Sequence, residues 1–167
     1  MTCALTAAEL AALSKKWLKH TKIYSLRWTD MKEADLQVMV ADYLRLQYPD
    51  VLFHSDFGSG IKLTMGQAAK QKRQNGGRRA WPDMFIAEPK SGLNMKGSNP
   101  NMYAGLFLEL KKEGTRLKKK NGEWASEHIA EQAFLLERLE FRGYQAEFAV
   151  GFDEAKKIID DYLKGVL

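Results

Sequence analysis

The segment Leu106-Phe107-Leu108-Glu109-Leu110-Lys111 constrains the fold of this chain more than any other. Its alternation is that of a β-strand, with Leu106, Leu108 and Leu110 on one face and Phe107, Glu109 and Lys111 on the other. Glu109 and Lys111 are therefore neighbours on one side of an apolar strand, where charge is costly unless it has a partner or a task. A second segment, Trp81-Pro82-Asp83-Met84-Phe85-Ile86, sets another acid beside another strand-like run. Brought together, Asp83, Glu109 and Lys111 would form an acid, acid, lysine cluster, the minimum equipment for metal-dependent hydrolysis of a phosphodiester.

Around these segments the pattern predicts the order α-α-β-β-β-α-β-α. Thr6-Ala7-Ala8-Glu9 reads as a capping box opening a helix to about His20. Asp30 reads as the cap of a second helix to about Tyr48, with an apolar stripe of Leu36, Val40, Tyr43 and Leu44 and a stop at Pro49. Val51 to His54 reads as a short strand, Asp56 to Gly60 as a turn, and Ile61 to Gly77 as a basic, partly helical excursion. Met84 to Ala87 and Ala104 to Lys112 read as strands joined by a polar loop, Glu88 to Asn101, rich in Pro, Gly, Ser and Asn. After a basic loop from Thr115 to Trp124, Ser126 is expected to cap a helix ended by Gly143. Gln145 to Val150 reads as a strand, and Asp153 as the cap of a last helix. The expected architecture is α/β, a central mixed β-sheet flanked by α-helices.

Charge narrows the partner. The 167 residues carry a net charge of +5, and the excess is concentrated rather than spread. Lys70, Lys72, Arg73, Arg78 and Arg79 form one run without an acid; Lys111, Lys112, Arg116, Lys118, Lys119 and Lys120 form another against Glu113 alone. A single run of this kind is as readily a solvated face. Two runs, each beside one acid-bearing segment, favour a polyanion such as a phosphate backbone. Cys3 is the single cysteine, which excludes an intrachain disulfide and a cysteine-rich zinc site and points to a cytoplasmic, reducing compartment. No apolar run is long enough to span a membrane, and Met1 to Leu10 does not read as a signal peptide. No phosphate-cradling Gly-rich motif followed by Lys-Ser/Thr is present, which argues against an NTPase.

Each candidate residue has a structural alternative. Asp83 follows Pro82, and Pro-Asp is a common turn pair. Glu109 and Lys111 could form a plain ion pair. Glu33 continues the inward stripe of its helix toward the sheet, yet it also fits the third position of a helix-start box that begins at Asp30. Gln132 shares a stripe with Leu135, Leu136 and Leu139, where an amide could hold a water, a metal ligand or Lys111, or satisfy a helix end. His54 and His128 show no metal-ligand spacing and read as structural or DNA-facing.

Pro82-Asp83, a strand, then Glu109-Leu110-Lys111 resembles the PD-(D/E)XK nuclease signature. With Glu33 in the preceding helix, Gly-Arg-Arg-Ala-Trp leading into Pro82-Asp83, and Gln132 in the helix that follows, the arrangement is similar to the VRR-NUC (virus-type replication-repair nuclease) branch over about Asp30 to Asp153. The resemblance implies a restriction-endonuclease-like PD-(D/E)XK core, with residues 1–29 as an N-terminal helical extension and 30–167 as the nuclease domain. It implies Asp83, Glu109 and the Leu110 carbonyl as ligands of Mg²⁺ or Mn²⁺, Lys111 as the catalytic lysine, Glu33 as an outer or second-metal acid, and Gln132 as the helix glutamine. Small stand-alone members, many in phages and bacteria, resemble homodimeric endonucleases that act on branched DNA such as Holliday junctions. Lys70, Lys72, Arg73, Arg78, Arg79, Arg116, Lys118 and Lys119 would grip the phosphates.

A non-catalytic nucleic-acid-binding module, with the same acids in structural ion pairs, and a protein-interaction domain for an acidic partner are the competing readings.

Overall fold

The structure is a computed structural model describing residues 32–56, 64–76, 81–93 and 100–165. The expected helix from Thr6 to His20, the cap at Asp30, most of the Asp56 to Gly60 turn, and Arg78 and Arg79 lie outside the described residues. The elements are α1 (Glu33–Gln47), β1 (Phe53–Ser55), α2 (Met65–Gln74), β2 (Met84–Ile86), β3 (Lys90–Leu93), β4 (Pro100–Tyr103), β5 (Leu106–Lys111), α3 (Glu127–Glu140), β6 (Gln145–Val150) and α4 (Phe152–Lys164). None of the described helices is long and apolar enough to cross a membrane.

Four strands make a mixed sheet in the order β1-β2-β5-β6, with helices on both faces. β2 runs antiparallel to both of its neighbours, β1 and β5, whereas β6 runs parallel to β5. Parallel neighbours need a crossover, and α3 supplies it. The β2–β5 register pairs Met84 with Leu108 and Ile86 with Leu106. One step beyond that ladder, Asp83 comes level with Glu109. Gly105 allows β2 and β5 to approach: a Cβ there would lie 2.6 Å from a Phe85 ring carbon and 2.7 Å from the Ile86 carbonyl oxygen.

The alternation of β5 places its leucines as expected. Leu106, Leu108 and Leu110 are fully buried with Met84, Ile86 and Ala149, beneath Leu36, Val40 and Leu44 of α1 and Ala155, Ile159 and Tyr162 of α4. On the opposite face, Leu135, Leu136 and Leu139 of α3 close over Ala146, with Phe107, Tyr144 and Phe148 at the margin. Truncating one of the β5 leucines to Ala would cost about 2–5 kcal/mol.

The local expectations fare unevenly. The Glu88 to Asn101 segment is not all loop: β3 and β4 pair antiparallel as a separate two-stranded sheet, because backbone pairing needs no apolar side chains and Pro100 is tolerated at a strand end. The 61–77 excursion is partly helical as expected: α2 is opened by a reciprocal Thr64–Gln67 box in which Gln67 N donates to Thr64 Oγ1 (3.3 Å) and Thr64 N to Gln67 Oε1 (2.9 Å). The Thr115 to Trp124 loop is tied by a Lys118–Trp124 bridge and by a bond from Ala125 N to Leu117 O (2.9 Å). Ser126 caps α3 as expected, accepting from Ile129 N at 3.2 Å.

Asp153 is not the cap of α4: Gly151 holds that position at φ +82°, and Glu154 accepts from Val150 N at 2.9 Å. The positive φ is what selects glycine at this turn; a Cβ there would meet only the carboxylate end of the exposed, flexible Glu113 side chain.

Candidate active site

Five polar side chains meet where the ends of β2 and β5 lie between α1 and α3. Asp83, Glu109, Lys111, Gln132 and Gln37 are each no more than 9% exposed. Asp83 sits just before β2, held by its backbone: its carbonyl accepts from Asp56 N at 2.8 Å. Its carboxylate crosses to β5, where Oδ2 accepts from Leu110 N at 2.9 Å, while Oδ1 accepts from Gln37 Nε2 at 2.7 Å. The Pro-Asp pair thus bridges elements rather than closing a local turn.

Glu109 and Lys111 lie on one face of β5, as the alternation requires. Lys111 Nζ donates to Glu109 Oε1 at 2.8 Å. Gln132 Nε2 donates to the same oxygen from α3, so the inward stripe of that helix delivers its amide to the strand. Glu33 Oε1 stands 3.9 Å from Lys111 Nζ, with its side chain 43% exposed at the mouth of the cluster. Glu33 is the first residue of α1; the box at that helix start closes instead through Asp35, whose Oδ2 accepts from Lys32 N at 3.3 Å. Among the described residues Glu33 makes no capping bond, and Asp30, where the box read from the sequence begins, lies outside them.

The electrostatics are unbalanced toward negative charge. Burial pushes the Glu109 carboxyl up to about 8, the Asp83 charge adds to that, and Lys111 only partly offsets it. Asp83 is likewise raised, first by burial and then by Glu33, against the lowering effect of the Leu110 N–H and Lys111. Glu109 Oε2 and Gln132 Oε1 are buried without a hydrogen-bond partner. Buried polar atoms are nearly always satisfied, so an orphaned carboxylate oxygen between two other acids calls for a positive or proton-donating guest.

Among the described residues, no group of three or more His, Cys, Asp or Glu side chains is disposed to hold a metal alone. A magnesium-like cation does not need one. It takes one or two carboxylates and completes its octahedron with water and phosphate oxygens. Asp83 and Glu109, with the free Glu109 Oε2, fit that lighter demand.

The cluster therefore joins Asp83, Glu109, Lys111, Gln132 and, at its rim, Glu33. Gln37 is the member that sequence reasoning missed. Its signal was present: it lies one helical turn after Glu33, on the same stripe as Val40 and Leu44. The basic residues are more dispersed. Lys70, Lys72 and Arg73 are exposed on α2, and Arg116, Lys118 and Lys119 are exposed on the segment that follows Lys111. Two of these are partly engaged: Lys118 Nζ lies 4.9 Å from the centre of the Trp124 ring, and Lys119 Nζ is 3.3 Å from Glu123 Oε2. His54 and His128 are both exposed.

A solved structure described as a VRR_NUC domain protein is similar to this chain, with a TM-score of 0.57 and 25% identity, covering 84% of this chain and 93% of that one. No protein-family model and no curated protein matches. The resemblance first carried by Pro82-Asp83 and Glu109-Leu110-Lys111 thus extends to the arrangement of strands and helices. By the name of that neighbour, the likeness is to a nuclease-type domain.

Proposed function

We propose that this chain is a Mg²⁺- or Mn²⁺-dependent DNA endonuclease with a PD-(D/E)XK-type site. The observation that carries the reading is Glu109: buried, raised to about 8, with one oxygen gripped by Lys111 and Gln132 and the other without a partner. Asp83 and Glu109, with the Leu110 carbonyl, would hold the metal. When bound, a divalent cation neutralises phosphate charge and makes a water nucleophilic near neutral pH.

The chain's own residues do the rest. Lys111 Nζ, beside Glu109, donates to the attacking water or to a non-bridging phosphate oxygen as charge develops there. Gln132 fixes the Glu109 rotamer and leaves its own Oε1 free to accept from that water. Gln37 and Leu110 N fix both oxygens of Asp83, so the carboxylate is already aimed before any ligand arrives. Glu33, at the mouth, is placed for an outer-sphere role or a second cation. Lys70, Lys72, Arg73, Arg78, Arg79, Arg116, Lys118 and Lys119 would bind phosphates along the approach.

The proposed substrates are branched DNAs, including four-way junctions, cut by a homodimer whose two sites are related by a two-fold axis. The decisive experiment incubates linear, flap and junction DNA with each metal, using wild-type protein and Lys111→Ala. Cleavage by the wild type alone supports the reading, and absence of cleavage on every substrate with both metals overturns it. A monomeric mass by light scattering at micromolar concentration argues against the dimer.

The 2.8 Å Lys111–Glu109 contact favours one other reading, a binding module in which the pair is structural. Calorimetry separates the two: divalent-metal binding that Asp83→Ala abolishes belongs to the nuclease.

A further inference from the structure

The face of the sheet that carries Glu109 and Lys111 also carries a row of rings. In the strand register Phe107 of β5 lies opposite Phe85 of β2, and Phe85 lies opposite His54 of β1. Directly opposed residues share a face, so the three form a line across three strands. Phe85 and Phe107 stack with centroids 4.4 Å apart, and Trp81 lies 6.2 Å from Phe107. Phe107 precedes Glu109 by two residues, about 7 Å along the strand on the same face.

This row is only partly covered. Helix α3 packs on β5 and β6, and among the described residues no helix packs extensively on β1 or β2. His54 is exposed, Trp81 is 39% exposed, and Phe85 and Phe107 are half-buried although they occupy the middle of the sheet. Aromatic groups in a core row would ordinarily be capped by a second layer.

The neighbouring charge identifies what could cap them. Trp81 Nε1 donates to Asn75 O at 3.3 Å, which fastens the ring to the end of α2, the helix bearing exposed Lys70, Lys72 and Arg73. Phe85 and Phe107 turn their faces to each other and meet the Tyr144 ring edge-on (6.0 and 5.1 Å), which leaves Trp81 and His54 as the rings open to a ligand. Basic side chains beside such rings match a ligand with a phosphate backbone and π-faces. Base pairs stacked inside a duplex keep their faces hidden, so only unpaired bases can use such a surface.

We infer that Trp81, beside Phe107, and His54, opposite Phe85, are the stacking positions for unpaired bases of a DNA strand leading into the site, with the Phe85–Phe107 stack as the support between them. This deepens the nucleic-acid part of the proposed function, and its binding step does not depend on cleavage. The strand's backbone runs along α2, its bases lie on the rings, and its next phosphate reaches Glu109 and Lys111. A preference for frayed or branched ends follows from the platform itself.

The test measures binding in EDTA, by fluorescence anisotropy, of a labelled single strand and of the blunt duplex of the same sequence. Trp81→Leu keeps apolar packing but removes the π-face. It should weaken single-strand binding by about 5- to 150-fold, the range for one stacked base, and duplex binding by less than about twofold. Trp81→Phe should stay within about threefold of wild type on both. His54→Ala, at an exposed position that tolerates truncation, should also weaken the single strand selectively. Equal losses on both DNAs, or no loss on either, in Trp81→Leu and His54→Ala would overturn the platform. Failure of the nuclease reading would show separately, as absence of wild-type cleavage with metal.

Discussion

Two carboxylates in this molecule sit in comparable places and reach opposite states. Asp160, on α4, has a side chain only 15% exposed, and it accepts hydrogen bonds from the hydroxyls of Tyr43 and Tyr48 (the latter at 2.8 Å) and from Lys164 (3.0 Å) and Lys156 (3.4 Å). Burial alone would raise its pKa, but these donors outweigh burial and hold the carboxyl well below the usual range. Glu109 is buried more deeply, has donors on one oxygen only and faces Asp83, and it is pushed up to about 8. The satisfied acid is a clamp between α1 and α4. The unsatisfied one is the acid on which the proposed metal site rests, since a carboxylate already saturated with donors has no reason to recruit another. The clamp also serves the site indirectly, because α1 carries Glu33 and Gln37 to its mouth.

The largest effect expected is on catalysis. Glu109→Gln and Lys111→Ala should each lower metal-dependent DNA cleavage by at least about a thousandfold, in line with removal of a metal ligand or proton donor. Duplex affinity should change by less than about threefold, because the exposed basic residues supply most of it. Asp160→Asn, measured at a temperature where the variant remains folded, should stay within about fivefold of wild type. Comparable losses in Asp160→Asn and Glu109→Gln would erase the distinction between clamp and site.

Stability should divide the same two residues the other way. Asp160→Ala strands two tyrosine hydroxyls and unpairs two lysines, and should cost about 2–4 kcal/mol in urea unfolding. Glu109→Gln keeps an acceptor for Lys111 and Gln132 and removes a negative charge that its surroundings disfavour. It should cost less than about 1 kcal/mol in metal-free buffer near pH 8, the trade of stability for function expected of an active site. A greater loss in Glu109→Gln than in Asp160→Ala would mean that the Glu109–Lys111 pair is structural.

How far each region could be read in advance follows from how local its signals are. The strand from Leu106 to Lys111 and the pairing of Glu109 with Lys111 depend on two-residue alternation, and both were legible. Asp83 and Gln132 were legible as candidates, through a motif and a helical stripe, but their convergence on β5 depends on the β2–β5 register, which no local pattern fixes. Gln37 lay on a visible stripe and was passed over because an amide among apolar residues announces no chemistry until its partner, Asp83, is known. Asp160 shows only its local partners in sequence, Lys156 and Lys164 four residues to either side; its donors Tyr43 and Tyr48 are more than a hundred residues away. The β3–β4 hairpin was hidden for a different reason, since Lys90–Leu93 and Pro100–Tyr103 lie in a segment rich in Pro, Gly, Ser and Asn that shows no strand alternation. The aromatic row across β5, β2 and β1 is likewise invisible until register aligns Phe107, Phe85 and His54.

The smallest effect expected, and the one that isolates the electrostatics, is a pair of opposite pH slopes in metal-free protein. Glu109 titrates near 8 in the fold against an ordinary 4.5, so between those values the folded state binds a proton that the unfolded chain has released. Stability from this group is therefore full below about pH 4.5 and is lost as pH rises toward 8. Asp160 is depressed below its ordinary 3.8, so its contribution is full above that value and is lost as pH falls beneath it. Urea midpoints followed from acid to mildly alkaline pH should accordingly fall at both ends. Asp160→Asn should shrink the acid limb, and Glu109→Gln the alkaline limb, the latter by about 1 kcal/mol or more of the roughly 5 that a shift from 4.5 to about 8 corresponds to, with Asp83 carrying what is left. Adding Mg²⁺ should restore the alkaline limb in wild type, because a bound cation stabilises the ionised carboxylate, and should do nothing for Glu109→Gln. An alkaline limb that Glu109→Gln leaves undiminished, or that magnesium leaves unchanged in wild type, would mean that Glu109 is as fully compensated as Asp160.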